Sequence, residues 1–215
     1  MQSRKHSRLV YFLVRGVLYI LYRLFFRFKF VGAEKVPTEQ DSRGVILAAN
    51  HASFLDPPAL GISLDRHVTF LAKDYLFKAF FIGWMLRSIG ALPIKTEADD
   101  FRSIRDLIRL LKEGKCTVVF PEGTRSADGK IQSAEGGVGF LAMKSQATVV
   151  PAYIHGTFEA FPRNRKFFKC VPVSVVFGEP FVPALEEEFK SSERPYEAVA
   201  EKIMREIEKL KEQKV

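Results

Sequence analysis

Only two cysteines, Cys116 and Cys170, occur among the 215 residues, far apart and with no CxxC pair or Cys/His cluster around either. Neither a disulfide framework nor a structural zinc site is therefore expected, and a reducing compartment fits. Cys116 opens the apolar run CTVVF and reads as a small buried strand residue rather than a nucleophile. Also missing is any uncharged run of the ~20 apolar residues that a membrane-spanning helix needs. In RLVYFLVRGVLYILYRLFFRFKF the series is broken by Arg15, Arg23, Arg27 and Lys29, which disfavours a simple transmembrane helix. No A-x-A-like cleavage site follows, which argues against a signal peptide. Repeats, low-complexity tracts and long linkers are absent, so one core is expected.

Negative charge is in short supply: 25 Asp and Glu stand against 33 Lys and Arg, a net charge of +8. Such a chain favours anionic partners, among them nucleic acid, anionic lipid, phosphorylated substrates and acidic carrier proteins. No RNP-type aromatic motif, zinc finger or helix-turn-helix pattern accompanies the excess, and the cations gather on an apolar N-terminal stretch. That combination points to lipid and away from nucleic acid. With 47% hydrophobic and 27% charged residues the rest has the composition of a globular protein.

At about 100° per residue, Arg4, Arg8, Arg15, Arg23 and Arg27 fall in one arc of roughly 140°. Val10, Leu13, Val17, Leu21, Leu24 and Phe28 lie opposite, while Phe12 intrudes on the basic arc. Residues 1–30 thus read as a basic amphipathic helix with two possible placements. It lies either in a membrane interface with its cations beside lipid phosphates, or against the core with a solvated basic face. The first is the expectation: a monotopic anchor on the cytoplasmic face, touching anionic lipids, ahead of a domain formed by residues 31–215.

After Pro37, apolar runs at 44–49, 67–72, 116–120, 148–154 and 171–177 read as strands, several of them buried on both faces. Between them Phe101, Ile104, Leu107, Ile108 and Leu111 mark a helix, with Thr96 and Asp99 as a capping box and Gly114 as its stop. A last helix at about 195–213 puts Val199, Ile203, Ile207 and Leu210 on one stripe. The alternation predicts an α/β fold, a mostly parallel sheet flanked by helices, with ligands beyond the carboxyl ends of strands.

Two segments fall at such ends. NHASFLDP (50–57) follows one strand and PEGTRS (121–126) another. His51 and Asp56, five apart, suit a turn that leads into a helix, since Asp is a favoured cap and Pro57 a favoured first helical residue. Asp56 is then either a plain cap or a carboxylate that accepts both a helix N–H and the imidazole Nδ1–H, leaving Nε2 as a base. Ser53 lacks the G-x-S-x-G elbow and reads as a turn hydroxyl. Arg125 has the planar fork that binds phosphate, and Glu122 either holds that arginine or pairs with a surface lysine.

NHASFLD matches the NHxxxxD signature, and FPEGTRS (120–126) the FPEGTRS signature, of the glycerolipid acyltransferases of the lysophosphatidic acid acyltransferase type. The two blocks stand in the expected order, about 65 residues apart. The chain resembles that family from about Phe30 to Gly156: GWMLRSIGALPIK (83–95) is similar to the intervening block, and VVPAYIHGT (149–157) to the block around the late proline. Two departures are Lys95, where arginine is common, and Glu135, where lysine often precedes the glycine. The resemblance implies transfer of a fatty acyl group from a thioester donor, acyl-coenzyme A or acyl carrier protein, to a lysophospholipid-type hydroxyl. The usual acceptor is the sn-2 hydroxyl of 1-acylglycerol 3-phosphate, giving phosphatidic acid. Carried over, His51 is the base and Asp56 its orienter, and Glu122, Gly123, Thr124 and Arg125 form the acceptor site. A thioester is already electrophilic, so neither metal nor cofactor is needed, and backbone amides near the His51 turn are candidate oxyanion donors. The alternatives are a different lysophospholipid acceptor and a non-catalytic basic membrane-binding protein.

Overall fold

The computed structural model describes residues 8–88, 90–94, 100–134, 137–213 and 215. Its strands are β1 (Lys29–Val31), β2 (Val45–Ala49), β3 (Val68–Lys73), β4 (Ala91–Ile94), β5 (Cys116–Val119), β6 (Thr148–His155) and β7 (Ser174–Phe177). The helices are α1 (Arg8–Phe26), α2 (Asp56–Ile62), α3 (Phe80–Ser88), α4 (Asp100–Lys112), α5 (Gly137–Ser145), α6 (Thr157–Ala160), α7 (Glu187–Lys190) and α8 (Pro195–Leu210). All seven strands form one sheet, ordered β1-β7-β6-β2-β5-β3-β4, and every neighbouring pair is parallel except β6 with β7. The mostly parallel α/β fold expected from the alternation is borne out.

Central β2 is buried at all five positions, as a strand covered on both faces must be. Side chains alternate across a strand, and here that alternation divides the core. Val45, Leu47 and Ala49 pack with Tyr11, Tyr22 and Phe26 of α1 and with Leu60 of α2. Ile46 and Ala48 pack on the other face with Leu107 and Leu111 of α4, Leu141 of α5, and Val199, Ile203 and Ile207 of α8. The α4 stop is a Schellman turn: Lys115 N–H donates to Leu110 O, Gly114 N–H donates to Leu111 O, and Gly114 takes the φ of +77° that favours glycine. Thr96 and Asp99, the expected capping box, lie outside the described residues, as do Arg4, Lys95 and Glu135. Missing from the expectation were β1 and β4, the two edge strands. The first has three residues and the second carries Pro93, so neither has the long apolar run that marks a central strand.

The N-terminal helix forms, and Leu13, Val17, Leu21 and Leu24 of its expected apolar face are exposed. Arg15 Nη2 donates to Asp65 Oδ1 (2.8 Å) and to Ile62 O (3.2 Å), Arg23 Nη1 donates to Phe28 O (3.0 Å), and Arg8 pairs with Glu39 (2.7 Å). These arginines tie the helix to the domain, Arg15 half-buried and Arg8 and Arg23 still exposed. Tyr11, Tyr22 and Phe26 enter the core, so the boundary drawn at residue 30 separates parts that pack together. Leu9, Leu13, Val17, Ile20 and Leu24 form an exposed apolar stripe on the same helix. By length and composition α1 is also long and apolar enough to cross a membrane. Phe28, expected on the apolar helix face, lies beyond the helix and is fully buried.

Candidate active site

The turn after β2 is built around one carboxylate. Asp56, fully buried, accepts on its Oδ2 three hydrogen bonds: from Ala52 N–H (2.7 Å), Ser53 N–H (2.7 Å) and His51 Nδ1 (2.8 Å). A carboxylate oxygen accepts, so the imidazole carries a proton on Nδ1, and in the neutral ring the lone pair is then on Nε2. The ring is held from its face as well, stacked on Phe120 with centroids 3.9 Å apart and planes 12° apart. Its side chain stays 17% exposed, enough for a substrate to reach. Asp56 heads α2, but the amides it satisfies precede the helix, so the expected cap on a helix N–H is replaced by a loop-closing carboxylate. Beneath it the Tyr22 hydroxyl donates to Leu55 O (2.9 Å), and burial, then the charge of Asp56, push that phenol well above its ordinary pKa.

Glu122 does neither of the things foreseen for it. Its Oε1 accepts from His51 N–H (2.7 Å) and its Oε2 from Gln132 N–H (2.9 Å), and only 3% of the residue is exposed. Burial pushes its carboxyl above the usual range, and the two amide hydrogen bonds pull it back part of the way. With both oxygens engaged on backbone, it joins the two motif turns. Ser126 N–H donates to His51 O (2.8 Å) and completes the clamp. Gly123, at a φ of +68°, makes the sharp turn that brings Thr124 and Arg125 after it.

Arg125 lies with its guanidinium 3.7 Å above the ring of Phe54, a residue of the His51 turn. Its Nη1 is buried without a hydrogen-bond partner, and among the described residues it makes no ion pair. Burial first, and the nearby positive charge of Arg163 second, lower its pKa. A bound anion relieves both costs at once. His51, Asp56 and Arg125 are thus brought to one rim, with Glu122 beneath.

Ser53, the discounted nucleophile, is a turn hydroxyl: its Oγ donates to Phe161 O (2.6 Å) and accepts from Leu55 N–H (3.1 Å). Amide use also narrows the oxyanion candidates. The N–H groups of His51, Ala52, Ser53 and Leu55 are all taken within the turn, whereas among the described residues those of Thr124 and Arg125 take no hydrogen bond. Sequence reasoning missed two supports. Phe120 forms the stacking floor, and Asn50 bridges β2 to β6, its Nδ2 donating to Ile154 O (3.1 Å) and its Oδ1 accepting from Ile154 N–H (2.8 Å). The signal for Asn50 was a polar residue closing a wholly apolar strand. A cavity of about 760 Å3 lies at the opposite, amino-terminal end of the strands, along Arg8, Arg15 and Glu39, and none of the motif residues lines it.

The clamp makes a prediction. Glu122→Gln turns an amide N–H toward one of the two backbone donors, leaving that donor buried and unsatisfied, a cost of about 1–3 kcal/mol. At ~2–4 °C per kcal/mol for a protein of this size, thermal unfolding should begin roughly 2–12 °C lower. Activity should fall with it through loss of His51 positioning. An unchanged melting curve would mean that Glu122 does not join the turns.

The chain is similar to known proteins. The acyltransferase family matches residues 27–155. The chain is 34% identical over 142 residues to a chloroplastic 1-acyl-sn-glycerol-3-phosphate acyltransferase of Arabidopsis thaliana, a match covering 64% of this chain and 38% of that protein. It is 30% identical over 167 residues to the 1-acyl-sn-glycerol-3-phosphate acyltransferase of Bacillus subtilis, covering 77% of this chain and 79% of that one. Among solved structures, the crystal structure of the 1-acyl-sn-glycerophosphate acyltransferase from Thermotoga maritima superposes with a TM-score of 0.76 at 29% identity, over 99% of this chain and 85% of that one. The stretch carrying both turns and the sheet between them lies inside the family match, and the chain belongs to the acyltransferase family, of the 1-acylglycerol-3-phosphate acyltransferase type.

Proposed function

We propose that the protein transfers a fatty acyl group from a thioester donor, acyl-coenzyme A or acyl carrier protein, to the sn-2 hydroxyl of 1-acylglycerol 3-phosphate, giving phosphatidic acid. The observation that carries the reading is the His51–Asp56 pair, fixed at a strand end with Nε2 open, beside an arginine whose buried Nη1 has no partner. In this reading Nε2 takes the proton of the acceptor hydroxyl as its oxygen attacks the thioester carbonyl. The tetrahedral intermediate collapses with cleavage of the C–S bond, and the imidazolium returns the proton to the leaving sulfur. Asp56 holds the ring and offsets its transient charge. Base action supplies ~10²–10⁴ in rate, and holding both substrates in line supplies more. Arg125 binds the acceptor phosphate, with Gly123 and Thr124 shaping the turn around it, and Glu122 supports the site from below. The chemistry needs no metal or cofactor, and nucleic acid has no part in it.

The lipid acceptor sets the location. We place the exposed stripe of α1 in the interface of a membrane carrying anionic lipid, the protein being monotopic on the cytoplasmic face. The test of function is direct: purified protein, detergent-dispersed lysophosphatidic acid and each donor in turn, with thiol release and new lipid followed together. Release of thiol without phosphatidic acid would sink the assignment. In the same assay Arg125→Ala should raise the acceptor KM by roughly tenfold or more, the loss expected for a charge-assisted bidentate contact. Arg125→Lys should restore it only in part, and the donor KM should barely move. An equal loss with a lysolipid lacking a phosphate monoester would remove Arg125 from the phosphate site.

A further inference from the structure

The segment FPRNRKFFKC (161–170) takes no part in the chemistry above, yet it carries four cations, three phenylalanines and no carboxylate. Its ends are tied. Lys169 N–H donates to Ala160 O (2.8 Å), and Arg165 N–H donates to Pro162 O (3.2 Å) to close a turn inside the loop. The loop is also mounted on the catalytic turn: Pro162 pairs with Ser53 in an antiparallel bridge, and Ser53 Oγ donates to Phe161 O. A loop held this way is presented to its surroundings with little ordering left to do.

What it presents is unusual for a face in water. Phe167 is 81% exposed and Phe168 51%. The ring of Phe168 meets those of Phe25 (5.7 Å) and Phe26 (5.6 Å) at the end of α1, where Leu21, Leu24 and Phe25 are themselves exposed. The aromatic tip therefore continues the outward stripe of the helix as one apolar surface. Around it Arg163, Arg165, Lys166 and Lys169 are exposed, and none makes an ion pair among the described residues. Aromatic side chains flanked by unpaired cations are what an anionic bilayer interface accepts, rings below the phosphates and cations beside them. A nucleic acid would use the same cations, but it would leave the adjoining apolar stripe uncovered.

We propose that loop 161–170 is a second membrane-contact element, inserting Phe167 and Phe168 into an anionic bilayer interface while Arg163, Arg165, Lys166 and Lys169 engage lipid phosphates. The proposal rests on the reading of α1 as a lipid contact. Two contacts with the surface, α1 and the loop bonded to Ser53, fix the tilt of the His51 turn relative to the surface from which acceptor arrives, which a single line of contact along α1 does not.

The experiment uses the full chain and phosphatidylcholine vesicles with and without phosphatidylglycerol. Flotation reports binding. Insertion of the loop is read from a tryptophan placed at its tip, Phe167→Trp, with the single native tryptophan removed by Trp84→Phe. Emission should shift to the blue and be quenched by brominated acyl chains on anionic vesicles. Phe167→Ser combined with Phe168→Ser should weaken partitioning about tenfold or more, and Lys166→Glu about fivefold or more. Phe167→Ser alone, at an exposed position, guards against a folding defect in the pair. Flotation with unaltered tryptophan emission overturns the loop proposal and leaves the α1 reading standing. Failure of the full chain to float overturns both, and an emission shift with a single-stranded oligonucleotide but not with vesicles makes the loop a nucleic-acid contact instead.

Discussion

His51→Ala should lower acyl transfer by about 10²–10⁴, the range for loss of a general base, in a protein that still folds. Among the described residues neither carboxylate beside His51 can replace it in the proposed mechanism: Asp56 is fully buried behind the ring, and both Glu122 oxygens are engaged on backbone amides. Folding should survive because the turn's amides remain bound to Asp56 and Glu122 without the imidazole. The substitution removes one of three donors to Asp56 and the stack on Phe120, which together should cost about 1–3 kcal/mol. Circular dichroism with a single cooperative melt establishes the fold, and thiol release from the donor gives the rate. A well-folded variant retaining more than about a tenth of the activity would mean that the base lies elsewhere.

The parts of this molecule legible in its sequence are those where one physical demand fixes residue identity. A strand covered on both faces has to be apolar throughout, and β2, β5 and β6 were read on that basis. Edge strands carry no such demand, which is why β1 and β4 passed unnoticed. The placement of α1 is open in the sequence for a related reason. Periodicity reports that arginines and leucines lie on opposite sides but not which side meets the protein. Here three aromatic residues at Tyr11, Tyr22 and Phe26 decide it, and the arginines reach loop carbonyls and Asp65. The stretch of family resemblance, about Phe30 to Gly156, agreed with the family match over residues 27–155.

At the site, residue types were legible and partnerships were not. The pairing of His51 with Asp56 followed from five-residue spacing across a turn. The engagement of Glu122 with the His51 amide, 71 positions away, depends on β2 and β5 being neighbours in the sheet, which no local pattern encodes. Phe54 under Arg125 is hidden for the same reason.

Asp56→Asn separates the carboxylate's two duties, because the turn itself decides how an amide would sit. Two backbone N–H groups point at the position of Oδ2. An asparagine side chain must turn its oxygen toward them, since its NH2 would face two donors. That orientation still accepts the imidazole Nδ1–H, so the ring keeps its place and tautomer. Its NH2 then occupies the position of Oδ1, which has no partner. What vanishes is the negative charge beside the imidazolium that, in the proposed mechanism, forms as the hydroxyl gives up its proton. At ~4 Å and an effective dielectric near 20, that attraction is about 4 kcal/mol, or roughly 10³ in rate. The loss should appear in kcat with little change in either KM, as for an interaction made chiefly in the transition state. Asp56→Ala should do further damage, leaving the amides of Ala52 and Ser53 unsatisfied in a buried turn and lowering the melting temperature, where Asp56→Asn nearly spares it. Retention of more than about a third of the activity by the asparagine variant would reduce Asp56 to a structural support and leave the imidazolium uncompensated in the transition state.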